Sequence, residues 1–215
     1  MLRIEGLDVS IASIGILRDV NMDVPTGKFV GLIGRNGAGK TTLMRSVMGI
    51  LPPRQGIISF DGALLGKTPV HQRARNGIGY MPEDRRLVPS LTVEENVLMP
   101  AWSAGVTDPR ERLGDIYKMI PEVEAFSARK ALQLSGGQQK LVALARALMC
   151  GSKLLLLDEP FEGVAPVLAR RLAEVISGLK QRGLSIVLTE SDLSHSREML
   201  DVIYSIDRGQ VSIAG

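Results

Sequence analysis

Nine consecutive residues, Gly34-Arg35-Asn36-Gly37-Ala38-Gly39-Lys40-Thr41-Thr42, constrain what this chain can become more than any others. They follow the pattern G-x-x-x-x-G-K-T of a phosphate-binding loop. Glycines are needed there because backbone N–H groups must close around phosphate oxygens, and a Cβ would block that approach. Lys40 can reach the β- and γ-phosphates as a point charge, and the Thr41 hydroxyl suits a Mg²⁺ ligand. Phe29-Val30-Gly31-Leu32-Ile33, ahead of the loop, is an apolar run of strand character. Residues 41–48 behind it have helical spacing. Strand, loop and helix in that order aim a helix N-terminus at an anion, where its dipole and free N–H groups favour negative charge. Gly34, Asn36, Gly37, Ala38, Gly39, Lys40, Thr41 and Thr42 are therefore expected to hold a nucleoside triphosphate together with Mg²⁺.

Composition narrows the setting. At 215 residues the chain fits one domain, 1–215, and can bury a substantial core. A net charge of +3 is small for that length and gives no sign of a nucleic-acid partner. The single cysteine, Cys150, cannot form an internal disulfide and sits in an apolar helical run, which fits a buried small hydrophobe. No apolar run approaches 18 residues, so no spanning helix is expected. Met1-Leu2-Arg3-Ile4-Glu5 is too polar for a signal peptide. Any work at a membrane then requires another chain to hold this one there.

Residues 2–9 and 16–24 alternate apolar and polar, as two antiparallel edge strands would. Strands are also expected at 57–60, 77–80, 153–158, 184–189, 202–206 and 210–213. Helices are expected at 70–76, 138–150, 164–182 and 193–200. From 92 to about 129 the pattern is helical, with breaks at Pro100, residues 105–109 and Pro121. Apolar strands alternating with helices imply a mostly parallel sheet covered on both faces. The helical stretch, about 84–135, reads as an insertion between two halves of that α/β core.

Leu154-Leu155-Leu156-Leu157-Asp158-Glu159 is an apolar strand ending in two carboxylates. In a parallel sheet ligands sit at the C-terminal strand edge, so both acids should face the phosphate loop. Asp158 suits the Mg²⁺ shell, and Glu159 is placed to orient or deprotonate a water attacking the γ-phosphate. Upstream, Leu134-Ser135-Gly136-Gly137-Gln138 precedes a helix that Ser135 can cap, offering N–H groups and a helix dipole to an anion.

With these residues in view, the chain resembles the ATP-binding-cassette (ABC) ATPases over essentially its whole length. Leu134-Ser135-Gly136-Gly137-Gln138 is similar to the family's signature motif. The resemblance implies a phosphate-loop (RecA-like) core, an N-terminal antiparallel β subdomain and an inserted α-helical subdomain. It implies a head-to-tail dimer, with itself or with a homologous ATPase subunit, in which Ser135, Gly136, Gly137 and Gln138 bind the γ-phosphate of ATP held by the other protomer. It places Glu83 where the family usually has a glutamine near Mg²⁺ and the transmembrane partner, which makes Glu83 a candidate metal residue beside Thr41 and Asp158. Within the family the chain is most similar to the ATPases of branched-chain amino acid importers, through Pro82-Glu83-Asp84-Arg85-Arg86, Leu91-Thr92-Val93-Glu94-Glu95-Asn96 and Gly163-Val164-Ala165-Pro166.

Three departures stand out. Ile11 occupies the position where the family commonly has an aromatic residue to stack on adenine. Ser191 occupies the catalytic switch position that is usually His, or Gln in the branched-chain branch. His195, four residues on, is expected one helical turn away as an ordinary surface residue. The sequence ends at Gly215, where relatives usually carry another short helical segment. The resulting expectation is an ATP-hydrolysing importer subunit for amino acids or similar small polar solutes, at the cytoplasmic face of the inner membrane and held there by transmembrane permease subunits. The rival expectation, favoured by Ser191, is a catalytically impaired regulatory subunit paired with an active homologue.

Overall fold

In chain order the elements are β1 (Leu2–Ile11), β2 (Ile14–Val24), β3 (Phe29–Ile33), α1 (Lys40–Val47), β4 (Gln55–Phe60), β5 (Ala63–Leu64), α2 (Val70–Arg75), β6 (Ile78–Met81), α3 (Val93–Ala104), α4 (Pro109–Met119), α5 (Pro121–Ala125), α6 (Gly136–Cys150), β7 (Leu154–Asp158), α7 (Pro166–Gly178), β8 (Ser185–Glu190), β9 (Val202–Asp207) and β10 (Gln210–Ile213). The structure is a computed structural model that describes residues 1–214.

Two sheets organise these elements. One is antiparallel, in the order β2-β1-β4-β5. The other runs β10-β9-β3-β8-β7-β6, parallel throughout except for the edge strand β10. The α/β architecture expected from the strand–helix alternation is the one observed, with the antiparallel sheet built largely from the N-terminal strands and the inserted helices α3, α4 and α5 between β6 and α6.

The continuous apolar runs are explained by burial on both faces of the parallel sheet. In β7, Leu154 and Leu156 pack into a core shared with the antiparallel sheet and α1. Leu155 and Leu157 point the other way, into a core shared with α3, α4, α6 and α7. The same period-two division sends Val187 to the first core and Ile186 and Leu188 to the second.

Three local expectations are corrected. Pro100 lies inside α3 and does not break it. The missing N–H is outweighed by the burial of Val93, Val97, Leu98 and Ala101 and by a capping box between Thr92 and Glu95. The first hairpin is longer than the alternation suggested, because Ile11 and Ile14 still pair across the turn. Residues 193–200 do not form an α-helix. They form turns with a single 3₁₀ turn at Arg197–Met199, pinned from below by the fully buried Ser196, whose hydroxyl donates to Glu190. Side-chain bonding of this kind competes with helix formation.

Candidate functional site

Sheet order decides which residues meet. The phosphate loop follows β3, Ser191 follows β8, and Asp158 ends β7, so three adjacent strands deliver them to the same C-terminal edge. The register aligns Ile33 with Glu190 and Thr189 with Asp158. Loop and sheet are joined where Gly34 N–H donates to Glu190 O at 3.1 Å. A Cβ on Gly34 would lie 2.3 Å from the Ile206 carbonyl oxygen, so only glycine fits this exit from β3. Gly39, at φ 117°, then turns the chain into α1.

Lys40 starts α1 and is buried. Its ammonium donates to Gly34 O at 2.5 Å and Arg35 O at 3.2 Å, and pairs with Glu159 Oε1 at 2.8 Å. Ser191 Oγ sits at the centre of this group, 2.9 Å from Asn36 Oδ1, 3.3 Å from both Glu159 carboxylate oxygens and 3.4 Å from Lys40 Nζ. Thr41 Oγ1 donates to Asp158 Oδ1 at 3.2 Å. A cavity of about 390 Å³ beside the loop is lined by Asn36, Gly37, Gly39, Lys40, Thr41, Thr42, Glu83 and Glu159, with Ile16 on its wall. The structure thus brings together most of the residues singled out in sequence, with Ala38 buried beneath the loop.

Three residues that the sequence reading passed over complete the site. Thr189, fully buried, donates to Asp158 Oδ1 at 2.8 Å and accepts from Glu159 N–H at 3.1 Å. Tyr80 OH donates to Asp158 Oδ2 at 3.2 Å. Burial pushes the Asp158 carboxyl above its ordinary range, against these hydrogen bonds, which favour its charged form. Burial and the Asp158 charge push the Tyr80 phenol up, so it keeps its proton and serves as a donor. The third is Lys140 on α6, whose ammonium donates to the Glu159 carbonyl oxygen at 2.6 Å. The available signals were a polar residue ending an otherwise apolar strand for Thr189, and a cation among apolar helix positions for Lys140. Tyr80 carried no signal, because nothing in the sequence says that β6 lies beside β7.

A second cavity, of about 360 Å³, shares Asn36 and Glu159 with the first and is lined by Phe161, Glu162, Glu190, Ser191 and His195. Because residues 193–200 are not helical, His195 is not set one turn away from Ser191. It borders the same cavity, with its ring 5.6 Å from that of Phe161 at a 52° tilt. Glu190 is almost fully buried here, and burial pushes its carboxyl up to about 7, with the charges of Asp192 and Glu159 adding to the rise.

Ile11 and the signature residues stand apart from these cavities. Ile11 ends β1, is 45% exposed and lines neither cavity, whereas Ile16 borders the one beside the loop. Ser135 caps α6 in a reciprocal box with Gln138, its Oγ accepting from Gln138 N–H at 3.3 Å and Gln138 Oε1 accepting from Ser135 N–H at 3.0 Å. Gly136 and Gly137 form the first turn of that helix. None of these four residues borders either cavity of the same chain.

Comparison with known proteins gives a consistent picture. A family model described as ABC transporter matches residues 17–162. The chain is 33% identical over 211 residues to the high-affinity branched-chain amino acid transport ATP-binding protein BraG of Pseudomonas aeruginosa, covering 98% of this chain and 91% of that protein. It is 34% identical over 217 residues to the lipopolysaccharide export system ATP-binding protein LptB of Haemophilus influenzae, covering 100% and 90%. Among solved structures, a dimeric post-hydrolysis state of the ATP-binding cassette MJ0796 bound to ADP and Pi superposes with a TM-score of 0.88 at 26% identity, covering 99% of this chain and 97% of that one.

Proposed function

Since this chain belongs to the ABC transporter family and is an ATP-binding ATPase subunit, we propose that it powers an importer for branched-chain or other amino acids or similar small polar solutes. The observation that carries its chemistry is the meeting of Lys40, Thr41, Asp158, Glu159 and Ser191 at one sheet edge. The solute class is supported by the likeness to BraG and by Glu83 with Gly163-Val164-Ala165-Pro166. Likeness to an export ATPase is of similar degree, so the solute rests on those sequence marks.

The residues divide the work as follows. The loop N–H groups and Lys40 take the triphosphate. A phosphate oxygen entering the loop competes with Glu159 for the Lys40 ammonium. Once Lys40 turns to the phosphate, Glu159 is free to accept a proton from the attacking water. Ser191 and Asn36 hold the far side of that water. For Mg²⁺, the donors near the loop are all oxygen, from Thr41, Asp158 and Glu83, as a hard cation requires. No group of three or more His, Cys, Asp or Glu ligands occurs among the described residues, which fits an ion that keeps waters and phosphate oxygens as its other ligands. Bound there, Mg²⁺ would neutralise charge on the phosphates.

The partners follow from what one chain leaves incomplete. Ser135–Gln138 present a capped helix end with no role at their own phosphate loop, which supports a head-to-tail dimer in which they meet the γ-phosphate of the partner protomer's ATP. Among the described residues no helix is long and apolar enough to cross a membrane. Permease subunits would hold the protein at the cytoplasmic face of the inner membrane, docking in the groove of about 440 Å³ lined by Met48, Ile50, Tyr80, Met99 and Pro100. The test is Glu159→Gln, which keeps shape but deletes the base. It should bind ATP as the wild type does, lose turnover and accumulate an ATP-bound dimer in size-exclusion chromatography. Wild-type turnover in that variant would refute the assignment. The second reading, a regulatory subunit with little hydrolysis of its own, is favoured by Ser191 alone.

A further inference from the structure

Glu159 occupies a backbone conformation that its residue type rarely adopts, with φ +48°. A residue with a Cβ stays in the left-handed region only where its surroundings hold it. Both backbone polar groups of Glu159 are fixed. Its N–H donates to Thr189 O and Oγ1, each at 3.1 Å, and its carbonyl oxygen accepts from Lys140 Nζ at 2.6 Å and, more weakly, from Glu162 N–H at 3.3 Å. Lys140 is 4% exposed, and the Glu159 carbonyl is the only hydrogen-bond partner of its ammonium among the described residues. The charges of Glu162, Glu159 and Glu83 favour its ammonium and that of Arg85 opposes it, yet none of the three carboxylates forms an ion pair with it, and the Glu159 carboxylate pairs with Lys40 instead. A buried ammonium donating to one peptide oxygen fixes the orientation of that peptide and therefore of the side chain that leaves it.

Lys140 also belongs to the helix that Ser135 caps, on its second turn. One rigid element thus carries the capped signature end and the group that holds Glu159. Resting on the reading of Glu159 as the proton acceptor and of Ser135–Gln138 as the contact to the partner's nucleotide, we propose that Lys140 is a positioning residue that makes hydrolysis at this chain's phosphate loop depend on the placement of its own signature helix. ATP bound by the partner, by seating that helix, sets Glu159 in the first protomer. Each site then reports its occupancy to the other through the hydrogen bond from Lys140 to the Glu159 carbonyl.

The test uses mixed dimers in which one chain carries Glu159→Gln, so that only the other chain's loop hydrolyses. Lys140→Met, similar in length and unable to donate, is placed either in the hydrolysing chain or in the Glu159→Gln chain. In the hydrolysing chain it should lower kcat about 10- to 100-fold, the loss of a charge-assisted hydrogen bond, with KM for ATP within about twofold. The same substitution in the other chain should cost at least tenfold less. Equal losses from both placements, a greater loss from the Glu159→Gln chain, or no loss from either would overturn the proposal. Lys140→Arg, which keeps a donor, should recover part of the turnover, and thermal melts of each dimer separate misfolding from mispositioning. If the parent mixed dimer never forms with MgATP, the dimer reading fails and this proposal with it.

Discussion

Replacing Ser191 by histidine is the perturbation that probes this site most directly. The serine hydroxyl has one proton to donate, yet its oxygen lies within 3.3 Å of Asn36 Oδ1 and of both Glu159 oxygens. That proton cannot go to Asn36 and Glu159 at once, so the hydroxyl holds a water only as an acceptor. An imidazole offers a donor and an acceptor on a longer side chain, and the adjoining cavity of about 360 Å³ has room for the ring. A hydrogen bond to a charged group contributes about 1.5–3 kcal/mol, which bounds the gain at roughly 10- to 100-fold in rate. The lower figure is expected here, because Glu190 and Asp192 line the same cavity and compete with Glu159 for the ring N–H. ATP affinity should change little, since the contact matters most in the transition state. Ser191→Ala should move turnover the other way. The assay is single-turnover hydrolysis of pre-bound ATP. Fast wild-type turnover that Ser191→His fails to improve would refute the reasoning and remove the only support for the regulatory reading.

Other expectations follow from single residues. The carboxyl of Glu190 is held at about 7 against an ordinary 4.5, so the folded state binds its proton more tightly than the unfolded chain does. Its contribution to stability is fully present below about pH 4.5 and is lost as pH rises through about 7, on the order of 3 kcal/mol at most. Glu190→Gln should abolish that loss, and its melting temperature should gain on wild type between about pH 4.5 and about pH 8, which spans the transition; parallel melting curves would count against it. Ile11→Tyr adds a π-face at an exposed strand end, where base stacking of roughly 1–3 kcal/mol should tighten ATP about tenfold in a displacement titration, and unchanged affinity would mean the base lies elsewhere. Gly34→Ala drives a methyl against a backbone oxygen that cannot move aside, so it should cost about 1–3 kcal/mol and lower the melting temperature by several degrees in differential scanning fluorimetry.

Some of this protein is written in local chemistry, and that part was legible from the sequence. The phosphate loop was readable because glycine, lysine and threonine act there through backbone geometry and reach fixed within a few residues. The strands were readable because Leu154–Asp158 and its neighbours are buried on both faces, which requires unbroken apolar runs. The Ser135 cap was readable because capping spans only three residues. What the tertiary structure alone decided is everything that depends on which strand lies beside which. Tyr80 meets Asp158 because β6 pairs with β7, and Ser191 meets Asn36 because β8 pairs with β3. Lys140 reaches the Glu159 carbonyl because α6 packs where the chain leaves β7, 19 residues further on. Residues 193–200 carry a helical pattern but are held in turns by the bond from Ser196 to a buried Glu190. In each of these cases the energy comes from contacts distant in sequence, and local propensity, worth tenths of a kcal/mol per residue, does not outweigh them.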